Sequence, residues 1–403
     1  MIPLEQALDA YPLNLHPLPA EDVPLAAALN RVLAEPAVAA TDLPRFDQSA
    51  MDGYALRAAD TAQASAAAPT RLPVSVRLAA GPHENLAPLA PGTAARIFTG
   101  APLPPGADTV LPQERAVRDG ETLLFTAPWP QKNIRWRGEE LRAGSAVAAA
   151  GQRITPGLLA SLVNADLEHV RAARRPRIRV LVTGDEVRPV GTPLKPGEIH
   201  DSNGPLIGAV LQRWGYPAPQ IEHLHDDAAQ VRDTLERALN DADVVISAGG
   251  ASVGEHDFLP ATAESLGLRR VFWKVAQKPA KPLFFGVRDN RVHLALPGNP
   301  GAVLISMALH VRRALDCLEG VARPGPSWSA GRLAQAVERD PQRVRLLRMS
   351  LDYDSDATAL LQPLPKQDSH MLSNLAAAQV LAWVPAGEGR CEAGSVLRWT
   401  ALP

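Results

Sequence analysis

Cysteine is nearly absent from this sequence: two residues in 403, Cys317 and Cys391. Two thiols so far apart build neither a disulfide framework nor a zinc site by themselves, and both read as small buried apolar side chains. Aromatic residues are scarce at 4%, so the cores have to be made mainly from Ala, Leu and Val, and a hydrophobic content of 46% supplies enough of them. A surplus of one charge is also missing: the formal net charge is -2 and the pI about 6.6. Nothing in this balance looks like a nucleic-acid or membrane-surface protein, because both need a basic face. No apolar run reaches the length that spans a bilayer. The opening MIPLEQALDAYPLNLHPLP has no basic region and no continuous apolar core, so it does not read as a signal peptide. A soluble cytoplasmic protein of two to four domains is the expectation.

Proline and glycine, by contrast, are plentiful, at 38 and 29 residues. Their clusters at 101–108, 281–286 and 296–301 read as turns and strand ends. Residues 1–50 read as short helical pieces broken by proline, and 58–68 as a loop or weak helix. From about 70 to 150, short β-type runs alternate with turns (Val74–Leu78, Ala95–Phe98, Thr109–Leu111, Thr122–Phe125, Ala146–Ala149). Residues 155–168 suggest a helix with proline near its start.

The stretch from about 176 to 320 is the most regular. IRVLVTGDE and ADVVISAGG read as buried strands running into glycine turns. Leu206, Ile207, Val210, Leu211 and Trp214 share one helical face, as do Val231, Leu235, Ala238 and Leu239. RVFWKVA and RVHLALPGNP add two strands, the second leading into a long helix over 301–318. Strand-helix alternation predicts a doubly wound, mostly parallel α/β sheet, with ligands outside the carboxyl ends of its strands. After 323, four short β-type segments predict a β-barrel-like domain. The expected division is 1–50 with 137–170 as an elongated helical and linker domain, 51–136 as a β-rich insert, 171–322 as the α/β domain, and 323–403 as the C-terminal barrel.

Five groups carry candidate chemistry. LPRFDQSAMDGYALR (43–57) holds Asp47, Asp52 and Gly53, and RIFTGAPLPPGAD (96–108) holds Thr99 in a turn able to cradle an anion. TGDE (183–186) puts Asp185 and Glu186 at a strand end, while Asp201, Ser202 and Asn203 precede a helix, with Ser202 or Asn203 the natural cap. SAGGASVGEHDF (247–258) supplies Gly249, Gly250, Ser252 and Gly254 for close approach, and Glu255 and Asp257 as oxygen ligands suited to Mg²⁺. KVAQKPAKP (274–282) places Lys274, Lys278 and Lys281 near one strand end. Pro297, Gly298, Asn299 and Pro300 open the long helix at its positive end. Each group alone is compatible with an ordinary turn, cap or solvated surface. Together they suit metal-assisted cleavage of a phosphoanhydride. The residues by themselves do not identify the substrate.

The strings FDQSAMDGYA, IFTGAPLPPGAD, NIRWRGEE, TGDE, DSNGP, SAGGASVGEHDF, KPAKP and LPGNP resemble, in order and spacing, the MoeA family of molybdopterin molybdenumtransferases, over nearly the whole chain. The resemblance implies an elongated homodimer, with each active site between the α/β domain of one subunit and the β-rich domain of the other. It implies transfer of molybdate to adenylylated molybdopterin with Mg²⁺ and release of AMP, and transient contact with an adenylyltransferase and with recipient molybdoenzymes. The family's functional positions fall on Asp52, Thr99, Glu186, Asp257, Lys274 and Lys278. The roles expected are Asp257, Asp201 and Glu255 toward Mg²⁺, the three lysines toward phosphate or molybdate, Asp52 and Thr99 from the partner subunit, and Glu186 at the pterin or as an acid–base group. The sequence departs from the family pattern at Gln48, Glu140, Ala280 and Gly301-Ala302, where Asn, Asp, Gly and Val-Ser are usual. Two alternatives stand beside an active transferase: a non-catalytic paralogue that binds and delivers the pterin, and a scaffold like the related gephyrin domain. The retained carboxylates argue against the scaffold.

Overall fold

A computed structural model of the chain describes residues 1–250 and 259–403. Its centre is a six-stranded sheet in the order Gln220–Leu224, Ile178–Thr183, Val244–Ala248, Arg291–Leu296, Phe284–Arg288, Arg269–Trp273. The first four strands run parallel, Phe284–Arg288 runs against them, and Arg269–Trp273 pairs antiparallel with Phe284–Arg288. Helices Asn203–Arg213 and Ala228–Asp241 contribute Ile207, Val210 and Leu211 to one hydrophobic cluster, and Val231, Leu235 and Leu239 to another. Sheet residues such as Val180 and Leu181 divide between those same clusters, so both faces are covered. The first cluster continues into the long helix that starts at Pro300. One wide turn, Met307–Val311, interrupts it with π-type spacing before it resumes as Arg312–Leu318.

The β-rich lobe is a mixed six-stranded sheet built from Gly53–Leu56, Thr70–Leu78, Ala94–Ile97, Thr109–Pro112, Val117–Asp119 and Thr122–Phe125. In the C-terminal lobe, Val344–Tyr353 pairs with Ala359–Pro363 on one side and with Val380–Val384 on the other. Ser329–Leu333 and Val396–Ala401 complete the ring, which closes into a small barrel. Among the described residues, no helix is long and apolar enough to cross a membrane.

Three local expectations are corrected. Residues 1–50 contain one α-helix, Leu4–Asn14, followed by short strands that pair with segments far along the chain: Ala20–Pro24 with His169–Ala173, Ala37–Val38 with Ala146–Ala148, and Gln48–Ser49 with Ile134–Arg135. The helix puts Leu4, Leu8 and Tyr11 into the α/β core, so residues 1–18 pack away from the unit expected to contain them. The Ala146–Ala148 strand lies beside Ala37–Val38, within the expected grouping of 137–170 with 1–50. The proline cluster at 281–286 ends in a strand, Phe284–Arg288, whose phenylalanines are fully buried. RVFWKVA is two strands: Lys274, at φ 70°, turns the chain out of the central sheet, and Val275–Lys278 joins the edge of the barrel sheet.

Candidate functional site

A cleft of about 750 Å³ opens where the parallel strands end, as predicted for this sheet type. Thr183 ends the strand Ile178–Thr183, with Gly184 and Glu186 after it, Asp201, Ser202 and Asn203 stand at the start of helix Asn203–Arg213, and Gly249 with Gly250 follows the strand Val244–Ala248. Pro297, Gly298, Asn299 and Pro300 close one side. Gly249 sits at φ 97°, and a Cβ there would lie 2.5 Å from Thr183 Oγ1, so only glycine lets these two strand ends approach.

Asp201 is the organiser of this rim. Its Oδ1 accepts the backbone N–H groups of Asn203 and Gly204, both at 2.9 Å, and its Oδ2 pairs with His223 Nε2 at 2.9 Å. The cap is therefore one residue earlier than the sequence suggests. Ser202 already has helical backbone angles and its hydroxyl makes no capping bond. Both Asp201 oxygens thus face N–H donors at the cleft rim. Asn203 Nδ2 donates to Gly298 O at 2.7 Å, tying the two loops together. Its Oδ1 is buried with no partner among the described residues, an acceptor left for a ligand's donor.

Glu186 is exposed on the cleft wall. Asp185 turns away to His225 Nδ1 at 2.9 Å. That hydrogen bond, followed by the N–H of Asp226, holds its carboxyl below the usual range.

The lysines divide. Lys278 and Lys281 are exposed in a second hollow of about 370 Å³ that shares Pro282 and His370 with the main cleft. Across it stand Arg343 and Arg345 of the barrel. Lys274 lines neither space, and its Nζ lies 4.6 Å from the Trp273 ring centroid. Between Lys278 and Lys281, the buried Ala280 adopts φ 66°. An L-residue pays roughly 1–2 kcal/mol for this left-handed conformation.

The barrel's contribution was not legible in the sequence. Asn299 Nδ2 donates to Ser369 Oγ at 2.8 Å, and Gly301 N to Ser369 O at 2.9 Å, seating the 366–370 loop on the start of the long helix. Buried Arg348 holds the same loop through Lys366 O and Asp368 O, at 2.9 and 3.2 Å. A Cβ on Gly301 would stand 2.4 Å from Arg348 Nη1, so this departure from the family pattern makes room for the guanidinium. Arg343, Arg345, Ser369 and His370 carried no motif or periodicity that could have marked them.

Other expected residues lie apart. Both the N–H and the Oγ1 of Thr99 donate to Asp52 Oδ1 at 2.8 Å. The backbone bond first, then the hydroxyl, keeps the Asp52 carboxyl below its ordinary range. This pair belongs to the β-rich lobe and does not line the cleft of its own chain. Glu140 and Gln48 share a hollow of about 650 Å³ with Arg45, Phe46 and Arg135. Ser252, Gly254, Glu255 and Asp257 lie outside the described residues. Among the described residues, no three acidic, histidine or cysteine side chains cluster as a metal site.

Three family models match the chain: the MoeA N-terminal region (domain I and II) over residues 2–165, a probable molybdopterin binding domain over 179–316, and the MoeA C-terminal region (domain IV) over 330–402. A molybdopterin molybdenumtransferase from Nostoc sp. is 33% identical, with 95% of this chain and 89% of that protein aligned. Molybdopterin molybdenumtransferase 2 of Mycobacterium tuberculosis is 34% identical over 93% of each. The crystal structure of the molybdopterin biosynthesis moeA protein from Pyrococcus horikoshii OT3 superposes with a TM-score of 0.83 at 27% identity, covering 100% of both chains.

Proposed function

The chain belongs to the MoeA family, and on that premise we propose that it is a molybdopterin molybdenumtransferase of molybdenum cofactor biosynthesis. In this reading it passes molybdate to adenylylated molybdopterin and releases AMP with Mg²⁺. The observation that carries the reading is the pairing of two adjoining spaces. One is a cleft with glycine turns and a helix N-terminus, suited to a phosphorylated ring compound. The other is a hollow with Lys278, Lys281, Arg343 and Arg345, suited to a small oxyanion.

The pterin end would lie over Gly249 and Gly250, with Asn203 Oδ1, which has no partner among the described residues, accepting one of its N–H groups. Molybdate would enter between the lysines and the barrel arginines and be oriented there before transfer. Glu186, exposed on the cleft wall, is placed to accept a proton. Mg²⁺ commonly binds through one or two carboxylates plus substrate phosphates, so the donor set here suits it without a three-group cluster. Asp201, at the cleft rim, would contribute to holding it, with Asp257 and Glu255 the further candidates from sequence. When bound, it neutralises charge on the phosphoanhydride. Asp52 and Thr99 would reach the cleft of a second subunit in a homodimer, and their mutual hydrogen bonds keep that carboxylate ionised and fixed.

The deciding measurement is AMP release from adenylylated molybdopterin, with molybdate and Mg²⁺ each omitted in turn. Release that requires both is expected. Tight substrate binding without release would replace this reading with that of a pterin-carrying paralogue.

A further inference from the structure

Three side chains buried in the core form a directed chain that ends on the lysine loop. Gln277 Nε2 donates to Ala280 O at 3.0 Å, Gln277 Oε1 meets His310 Nε2 at 2.9 Å, and His310 Nδ1 meets Tyr11 OH at 3.1 Å. Gln277, His310 and Tyr11 are all fully buried. The direction is fixed from the loop end. A carbonyl only accepts, so the Gln277 amide must donate there and present its oxygen to His310. His310 Nε2 then carries the proton, Nδ1 is the acceptor, and Tyr11 donates. Burial pushes the His310 pKa down to about 3, with Arg313 adding to the effect, which agrees with a neutral ring.

The far end of the chain is unusual in two respects. Ala280 holds φ 66°, a conformation that alanine leaves unless something retains it. His310 lies within the wide π-type turn of the long helix, which shifts the register of side chains toward the loop. We infer that Tyr11, His310 and Gln277 are positioning residues: their hydrogen-bonded relay retains the left-handed Ala280 and thereby fixes where Lys278 and Lys281 stand in the oxyanion hollow. The consequence for anion binding rests on the function proposed above; the retention of the loop does not.

The test uses the full-length protein with Gln277→Met, which removes the donor to Ala280 at similar volume, and Tyr11→Phe as a milder lesion at the other end. Amide hydrogen exchange is read over 274–283, where Val275 N and Leu283 N are bonded to Lys281 O. Molybdate affinity is read by calorimetry. Gln277→Met should raise exchange in that segment about tenfold, leave strand Val244–Ala248 unchanged, and weaken molybdate binding about tenfold. Tyr11→Phe should shift both by about threefold. Adding Ala280→Gly to Gln277→Met, which removes the need for retention, should recover about fivefold in exchange. Buried groups that matter only for global stability would raise exchange everywhere and give no recovery with glycine, and that result overturns the relay. Segment exchange unchanged in Gln277→Met overturns it as well. A wild type that binds no molybdate, with exchange behaving as expected, would overturn the oxyanion reading and leave the relay standing.

Discussion

The two walls of the candidate site are built in opposite ways. On the strand-end wall the capping contacts are short in sequence: Asp201 reaches two and three residues ahead to Asn203 and Gly204, and 22 residues to His223, with Asn203 to Gly298 the one long tie named there. On the lysine wall they are long. Gln277 depends on His310, and His310 on Tyr11, 299 residues away, while the facing cations come from the barrel. Local capping makes a wall that forms wherever its short segment folds. A wall built on long-range contacts exists only once the N-terminal helix has packed on the α/β core and the barrel has docked, so it should be the more easily disturbed.

Acid gives the largest expected contrast. Burial pushes both His310 and His293 down to about 3, whereas an unfolded histidine titrates near 6.5. Between those values the unfolded chain binds the extra protons. The stabilising contribution is therefore complete above about pH 6.5 and is lost as pH falls toward 3. Each histidine should cost about 1.4 kcal/mol per pH unit across that window. Urea midpoints at pH 7 and pH 5 measure it, and equal stabilities at the two would contradict the buried neutral state of both rings.

Next in size is Asp201→Ala. It strands two N–H groups at a buried helix start and should cost about 3 kcal/mol in chemical denaturation. Asp201→Asn retains an acceptor and should lose less. If the two substitutions cost the same, the capping account of the strand-end wall is wrong.

The division of the lysines can be read directly on molybdate affinity. Lys278→Ala and Lys281→Ala should each weaken binding about tenfold, near 1.4 kcal/mol. Lys274→Ala should change it by no more than about twofold, since that ammonium lies on Trp273. A larger effect at Lys274 than at the other two would reverse the assignment.

The smallest effect is at the β-rich lobe. Thr99→Val removes the hydroxyl donor but keeps the N–H bond to Asp52, so the Asp52 carboxyl should titrate closer to its ordinary value. Carboxyl-carbon NMR follows it, and no upward movement would mean that the hydroxyl contributes nothing to its acidity.

Much of the strand-end wall was legible because its signals are local. Glycine after a buried strand, an acidic residue before a helix and a proline-glycine turn opening a helix each constrain their own neighbourhood. The lysine loop was legible as a motif but not as a structure. KVAQKPAKP named the cations, yet nothing in it showed that Lys274 would leave the central sheet, that Ala280 would adopt a left-handed conformation, or that Gln277 would be buried against His310. Arg348, which stands where a side chain at position 301 would project, was likewise visible only once the barrel was in place.

The sequence by itself determined the α/β class, the family, the strand-end location of the cleft and most of the residues around it, because hydrophobic periodicity and turn chemistry act over a few residues. Tertiary structure decided which lobe each short strand joined, which lysines face an anion and what holds them there. Those outcomes depend on which surfaces meet across hundreds of residues, and no local pattern encodes that.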